Sequence, residues 1–334
     1  MAIRCSKLLA TAFAGSAAYA GVAAVLAGSM DARAQSDFPN RPVRLVNPFS
    51  PGGSVDLVGR AVAVGLSQIW GQQLIVDNRP GAGTQIGTEI VARADPDGYT
   101  MLCNSSAIAI MPAIYRNMRF DTVRDLYPIV EVASSAPMLA VHPSVPAKSV
   151  KELIALAKAQ PGQITAAASG IGSTNHLTTE MFKSMAQINL LIVPYKGGAP
   201  AIADLIGGQV NMFFNSAAAF LPLIKSGRVR VLASGGAQRA DYAPDIPTVA
   251  ESGVPGFEAS TWFAIYGPRA LSKSIAQRWN DSINQYLKTP HAQEYFRKNH
   301  MRTVGGTIAT FTDYHKSETA RWSKLITASG ITPQ

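Results

Sequence analysis

The residues best placed to do chemistry in this chain are glycines and serines at two turns. Val43-Arg44-Leu45-Val46-Asn47-Pro48-Phe49-Ser50-Pro51-Gly52-Gly53-Ser54-Val55-Asp56 reads as a buried strand, a Gly/Ser turn and a helix start. Ile164-Thr165-Ala166-Ala167-Ala168-Ser169-Gly170-Ile171-Gly172-Ser173-Thr174 reads the same way. Such a turn presents backbone N–H groups at the positive end of a helix, where a carboxylate or phosphate sits without any lysine or arginine. Two of them, about 120 residues apart, predict a two-lobed anion clamp.

Other chemistry has weaker support. Asn78-Arg79-Pro80-Gly81-Ala82-Gly83-Thr84-Gln85-Ile86-Gly87 spaces its glycines somewhat like a dinucleotide fingerprint, but Asn78-Arg79-Pro80 separates the strand from the first glycine, so a tight turn into a helix is the better reading. Gly-x-Ser-x-Gly, His-Glu-x-x-His and the Gly-Lys-Ser/Thr phosphate loop are all missing from the sequence. His142, His176, His291, His300 and His315 are scattered without metal-ligand spacing. His176 alone lies beside a candidate turn, either orienting a ligand or serving as a structural histidine, and the second role is favoured because no carboxylate or cysteine partner is apparent. Asp56 is a functional acid or a first-turn residue that complements the helix dipole and ties the Gly52-Gly53-Ser54 turn; the structural role is favoured. Tyr195-Lys196-Gly197-Gly198 follows an apolar run and either lines the same cleft or leaves Lys196 a solvated charge. No cofactor or metal is expected.

These turns need strands and helices to hold them. Strand-like runs at Val43–Val46, Gln73–Val76, Thr100–Cys103, Met138–Val141, Ile164–Ala168, Leu190–Val193, Val210–Phe214, Val229–Ala233 and Trp262–Tyr266 alternate with helical patterns. This is the signature of parallel sheets covered by helices, and several runs are wholly apolar, as burial on both faces demands. Val55, Val58, Val62, Leu66 and Ile69 form one helical stripe, and Ile275, Trp279, Ile283 and Leu287 another. Ser149 with Glu152 makes a capping box.

Targeting and charge narrow the class. Arg4 and Lys7 precede an Ala/Leu/Val-rich run from Leu8 to Leu26, and Ala32-Arg33-Ala34 offers small residues at cleavage spacing, so residues 1–34 read as a secretory signal. A membrane anchor is the rival reading, but the Gly, Ser and Ala content of the run makes it weakly hydrophobic. Cleavage would leave 300 of the 334 residues, a length suited to two lobes. It would also take three positive charges and one negative charge (Arg4, Lys7, Arg33 and Asp31) from the +9 of the whole chain, leaving +7. The basic residues are dispersed with no run of five, so no nucleic-acid partner is expected. Cys5 leaves with the leader, and Cys103 alone cannot form an intrachain disulfide. Crossings between lobes are expected at Ser135-Ala136-Pro137 and near Gly253-Val254-Pro255-Gly256-Phe257. Residues 35–136 with 258–334 would then form lobe 1, and 137–257 an inserted lobe 2.

Taken in order, Pro48-Phe49-Ser50-Pro51-Gly52-Gly53-Ser54-Val55-Asp56, Asn78-Arg79-Pro80-Gly81-Ala82-Gly83, Pro96-Asp97-Gly98-Tyr99-Thr100, Val193-Pro194-Tyr195-Lys196-Gly197, Gly207-Gly208-Gln209-Val210, Pro247-Thr248-Val249-Ala250-Glu251 and Pro255-Gly256-Phe257-Glu258 resemble the Bug family over nearly all of residues 38–334. Bug proteins are the periplasmic solute-binding receptors of tripartite tricarboxylate transporters. The resemblance implies an α/β, two-lobed periplasmic binding protein (Venus flytrap) fold, each lobe a mainly parallel sheet flanked by helices. It implies closure on one small organic acid and delivery to integral-membrane transporter subunits. One carboxylate would be gripped by backbone amides and waters at Phe49, Ser50, Gly53 and Ser54, with Asp56 ordering the loop and Ser169, Gly170, Gly172 and Ser173 facing them. Ser105 and Ser106 would add contacts, and His176 and Asn215 complete the expected site. Thr84 replaces a usual glycine or small polar residue, and Asn215 stands where an Asp is frequent, which tilts the ligand from amino acids toward plain carboxylates.

The expectation is therefore a monomeric, non-enzymatic receptor in the periplasm. The competing reading is a hydrolase or isomerase of an organic acid, with Ser54 or Ser173 activated by His176.

Overall fold

The computed structural model describes residues 38–170, 173–195 and 198–328; the expected leader lies outside them. The first sheet holds β1 (Val43–Asn47), β2 (Leu74–Asn78), β3 (Thr100–Ser105), β4 (Leu126–Ser135), β10 (Thr261–Pro268) and β11 (Arg302–Thr303), in the order β11-β4-β10-β3-β1-β2. The second holds β5 (Pro137–Val141), β6 (Thr165–Ala168), β7 (Leu191–Pro194), β8 (Met212–Ser216) and β9 (Arg230–Ser234), in the order β7-β6-β8-β5-β9. Both sheets are mixed. β1 pairs parallel with β2 and β3, and β6 with β7 and β8, whereas β10 runs antiparallel to β3 and β4, and β5 antiparallel to β8 and β9.

The antiparallel pairs follow from the way the chain travels. It leaves the first sheet at Ser135, spends one residue, Ala136, and enters the second at Pro137. It comes back between β9 and β10, so the outgoing and returning strands run in opposite senses. Val249 N–H bonds Ser234 O and Ala259 N–H bonds Gly235 O, both at 2.8 Å, which keeps the return segment against the second sheet until just before Thr261.

Both faces of each sheet are covered, as apolar strands require. Leu45, Met101 and Ile265 pack against Val58, Val62 and Leu66 of α1 (Ser54–Trp70) and against Trp279 and Ile283 of α8 (Lys273–Leu287). Val46, Leu102 and Trp262 point to the opposite face and meet Ile108 of α3 (Ala107–Ile114) with Phe311 and Trp322 of α10 (Ile308–Ala328). In the second sheet Leu139, Ala166 and Phe214 face Leu153 of α4 (Val150–Ala159) and Phe182 of α5 (Thr174–Ala186). Met138, Ala167 and Phe213 face Leu205 of α6 (Gly198–Ile206) and Phe220 of α7 (Ala217–Lys225). This alternation is the period-2 pattern of a strand buried on both sides.

The capping box at Ser149 is present, with a variation: Ser149 Oγ accepts Glu152 N–H at 3.2 Å, while the Glu152 carboxylate takes the N–H of Lys148 rather than that of Ser149. Two strands have no counterpart among the apolar runs. β4 carries Pro128 and Glu131, which break its apolar reading, and β11 has only two residues.

Candidate ligand-binding cleft

β1 ends at Asn47 and α1 begins at Ser54, so the turn between them is short and its shape is set by hydrogen bonds to a buried carboxylate. Asp56 accepts Gly52 N–H at 2.9 Å, Arg60 Nε–H at 2.8 Å and Asn78 Nδ2–H at 3.0 Å. Burial alone would raise the Asp56 pKa, but the hydrogen bonds from Arg60, Gly52 and Asn78 and the charge of Arg60 outweigh it and hold the carboxyl at about 2. Asn78 Nδ2 also donates to Phe49 O at 3.0 Å, and Asn47 Oδ1 accepts Phe49 N–H at 3.1 Å. Gly52 has φ +86°, a conformation glycine adopts without strain. Gly53 is the N-cap of α1 and offers no side chain, so the first N–H groups of a 17-residue helix are left for an external acceptor.

The facing turn follows β6. Ser173 Oγ lies 2.7 Å from both Gly170 O and Asn175 Oδ1 and accepts His176 N–H at 3.4 Å, capping α5. Asn175 Nδ2 donates to Ser169 Oγ at 2.7 Å. Ser169, Ser173 and Asn175 therefore form one polar knot, and among the described residues no hydrogen bond takes the N–H groups of Thr174 and Asn175 at the helix start.

The two turns meet across a cleft of about 380 Å³ lined by residues from both sheets. From the first sheet come Phe49, Gly53, Ser54, Val55, Ser105 and, on β10, Thr261 and Phe263. From the second come Ser169, Ser173, Thr174, Asn175 and Thr178, then Phe214, Asn215 and Ser216 at the end of β8. Ser135 and Pro137, on either side of the outgoing crossing, close the floor. In register, Thr261 stands opposite Ser135 and Pro137 opposite Ser216, so the floor is a strip of adjacent strands that continues from one sheet into the other. Among the described residues no Lys, Arg, His, Asp or Glu lines the cleft. Its polarity comes from hydroxyls, two carboxamides and the starts of helices α1, α5 and α7, which reach it at Ser54, Thr174 and the N-cap Ser216.

Of the residues singled out from sequence, Phe49, Gly53, Ser54, Ser105, Ser169, Ser173 and Asn215 line this cleft. Ser50 is exposed on the first loop, Gly170 contributes a carbonyl to the knot, and Gly172 lies outside the described residues. Asp56 is behind the loop it ties. Ser106 is buried with its N–H on Trp262 O at 2.9 Å and its hydroxyl unpartnered. His176 is 8 % exposed and does not line the cleft; its Nε2 is 3.8 Å from Glu180. Burial lowers the His176 pKa, with Glu180 pulling the other way. Ser173 Oγ is bonded to the His176 backbone rather than its ring, so the pairing a serine hydrolase requires is not formed. Asn175, Thr174 and Thr178 were legible in principle, as the Ser-Thr-Asn start of a helix after a glycine turn. Ser135, Thr261 and Ser216 carry no local signal, because only strand register brings them together.

A family model described as tripartite tricarboxylate transporter family receptor matches residues 58–331. Protein BugT of Bordetella pertussis is 35% identical over 295 residues, covering 88% of this chain and 90% of BugT. Among solved structures, R. palustris Rpa4515 with adipate superposes at TM-score 0.74 with 34% identity, covering 89% of this chain and all of that one. The periplasmic binding protein BugD superposes at TM-score 0.71 with 31% identity, again over 89% of this chain and all of its own.

Proposed function

The chain belongs to the tripartite tricarboxylate transporter receptor family, and from that membership we propose that it is a periplasmic receptor that closes its two lobes on a small organic carboxylate and hands it to integral-membrane transport subunits. The observation that carries this reading is the convergence of uncapped helix starts from both sheets on one cleft with no charged side chain among the described residues that line it. A carboxylate placed between Gly53-Ser54-Val55 and Ser173-Thr174-Asn175 would receive charge-assisted N–H bonds, each worth about 1.5–3 kcal/mol, from two walls at once. Ligand binding then favours the closed form by the difference between gripping with two walls and with one.

The residues proposed as direct contacts are Phe49, Gly53, Ser54, Ser105, Ser169, Ser173 and Asn215, with Asp56 shaping the loop. Export through residues 1–34 and action as a monomer belong to the same proposal. Binding without turnover fits the absence of a Ser–His pairing at Ser173. The test is a thermal-shift and calorimetric screen of the purified protein against mono-, di- and tricarboxylates and amino acids. Stabilisation by carboxylates with no product formed is the expected result; turnover lost in Ser173→Ala would overturn it in favour of the hydrolase reading.

A further inference from the structure

We propose that Tyr242 and His300 form a latch behind the strands that connect the lobes, and that this latch opposes closure of the cleft, so that removing it tightens carboxylate binding without touching the ligand. The effect on affinity, though not the latch itself, rests on the receptor reading. Side chains alternate across the two connecting segments. Ser135 and Thr261 face the cleft, whereas Ser134, Ala136 and Ser260 line a groove of about 120 Å³ on the opposite face. This groove shares Ala240, Tyr242 and Arg302 with a hollow of about 440 Å³, which lies between the return segment and α9 (Pro290–Lys298) with β11. The return segment and the first lobe are therefore spaced apart behind the connecting strands, and a ring pair spans the gap.

Tyr242 packs against the second sheet's cluster of Met138, Phe213 and Phe220. His300 belongs to the first lobe, with its N–H on Arg297 O at 3.0 Å. The two ring centroids are 5.2 Å apart and the planes meet at 70°, an edge contact. Among the described residues it is the one ring contact that joins the lobes. His300 has φ +56°, a left-handed conformation that a residue other than glycine seldom holds without a local reason. Its Nδ1 is buried with no hydrogen bond among the described residues, so packing is what holds the ring. The same residue is tied to the cleft floor, because Ser135 Oγ–H donates to His300 O at 3.2 Å. Rotation about the connecting strands that narrows the cleft on one face widens the groove on the other and draws the rings apart. A contact made only in the more open form lowers the population of the closed form, and with it the apparent ligand affinity.

Two variants remove the contact with little disturbance: His300→Gly, which suits the positive φ, and Tyr242→Leu, which keeps apolar packing on the second sheet. Spin labels go on cysteines placed at the exposed Val64 and Met185, one in each lobe, while Cys103 is buried. Pulsed electron resonance distances in the ligand-free chain should shift in both variants relative to the labelled parent. Calorimetry with succinate, glutarate, adipate and citrate should show about twofold to tenfold tighter binding of whichever acids the parent binds. The double variant should gain no more than the better single one, because both remove the same contact. Distance distributions that superimpose on the parent's overturn the latch, and so does binding left unchanged or weakened in both variants. A response confined to one of the two also overturns it, since the contact needs both rings. If the distributions shift in both but no acid binds, the receptor reading fails and the latch stands.

Discussion

Asp56 accepts the backbone N–H of Gly52 at 2.9 Å, so one buried carboxylate both opens helix α1 and pins the turn in front of it. The turn's free amides are aimed by that bond. Asp56→Ala should destabilise the protein by about 2 kcal/mol, through loss of the charge-assisted hydrogen bonds that Gly52, Arg60 and Asn78 donate to it. It should also weaken carboxylate binding by more than the loss of stability explains. Urea denaturation and calorimetry on the same variant check both.

The same carboxylate sets an acid limit. Its folded pKa, about 2, lies below the ordinary 3.8, so its contribution is complete above about pH 4 and disappears as pH falls through 2. Asp56→Asn should flatten the loss of stability in that window, measured by chemical denaturation at stepped acid pH.

Glu131, on the crossing strand β4, acts in the opposite direction. Burial lifts its carboxyl to about 8, against the pull of Arg302 and with the push of Glu258 and Glu318. Because the folded value lies above the ordinary 4.5, the folded chain holds this proton more tightly than the unfolded chain does. Stability should therefore decline as pH rises from about 4.5 toward 8 and level off above it. Glu131→Gln should remove most of that decline, as read from denaturation midpoints across the range.

Ser173→Ala removes the cap of α5 and one member of the Ser169–Asn175 knot. A stability loss of about 1 kcal/mol is expected from the cap, with a larger fractional loss of ligand affinity because the facing amides are no longer held in place. Ser173→Thr, which keeps the hydroxyl, should recover most of both.

Gly87 touches the first loop from behind. A Cβ there would stand 2.8 Å from Pro48 Cβ and 2.9 Å from both Pro48 Cα and Arg79 O, and backbone atoms cannot move aside cheaply. Gly87→Ala should cost about 1–3 kcal/mol and shift Phe49, lowering affinity. Gly59→Ala meets Cys103 Sγ at an ordinary 3.7 Å and should be tolerated, which makes it the matched control.

Much of the cleft's lining was readable in sequence because its two main pieces are local. Phe49 through Ser54 and Ser169 through Ser173 are consecutive residues whose path from strand to helix is decided by glycine, serine and the apolar periodicity on either side. His176 is near Ser173 in sequence for the same reason, yet only its N–H meets the serine while its ring is buried beside Glu180, in keeping with the structural role favoured for it. Asn175 was one residue from view.

From sequence alone came the alternation of apolar strands and amphipathic helices, the two glycine–serine turns and the scatter of the histidines without metal-ligand spacing. All of these depend on neighbours within a few residues. Tertiary structure alone decided which strands lie beside one another, and hence that Thr261, Ser135, Pro137 and Ser216 make a single floor although β8 and β10 lie far along the chain from β4 and β5. Register is a property of paired backbones, set by the packing of both faces of each sheet, so a segment read by itself does not contain it.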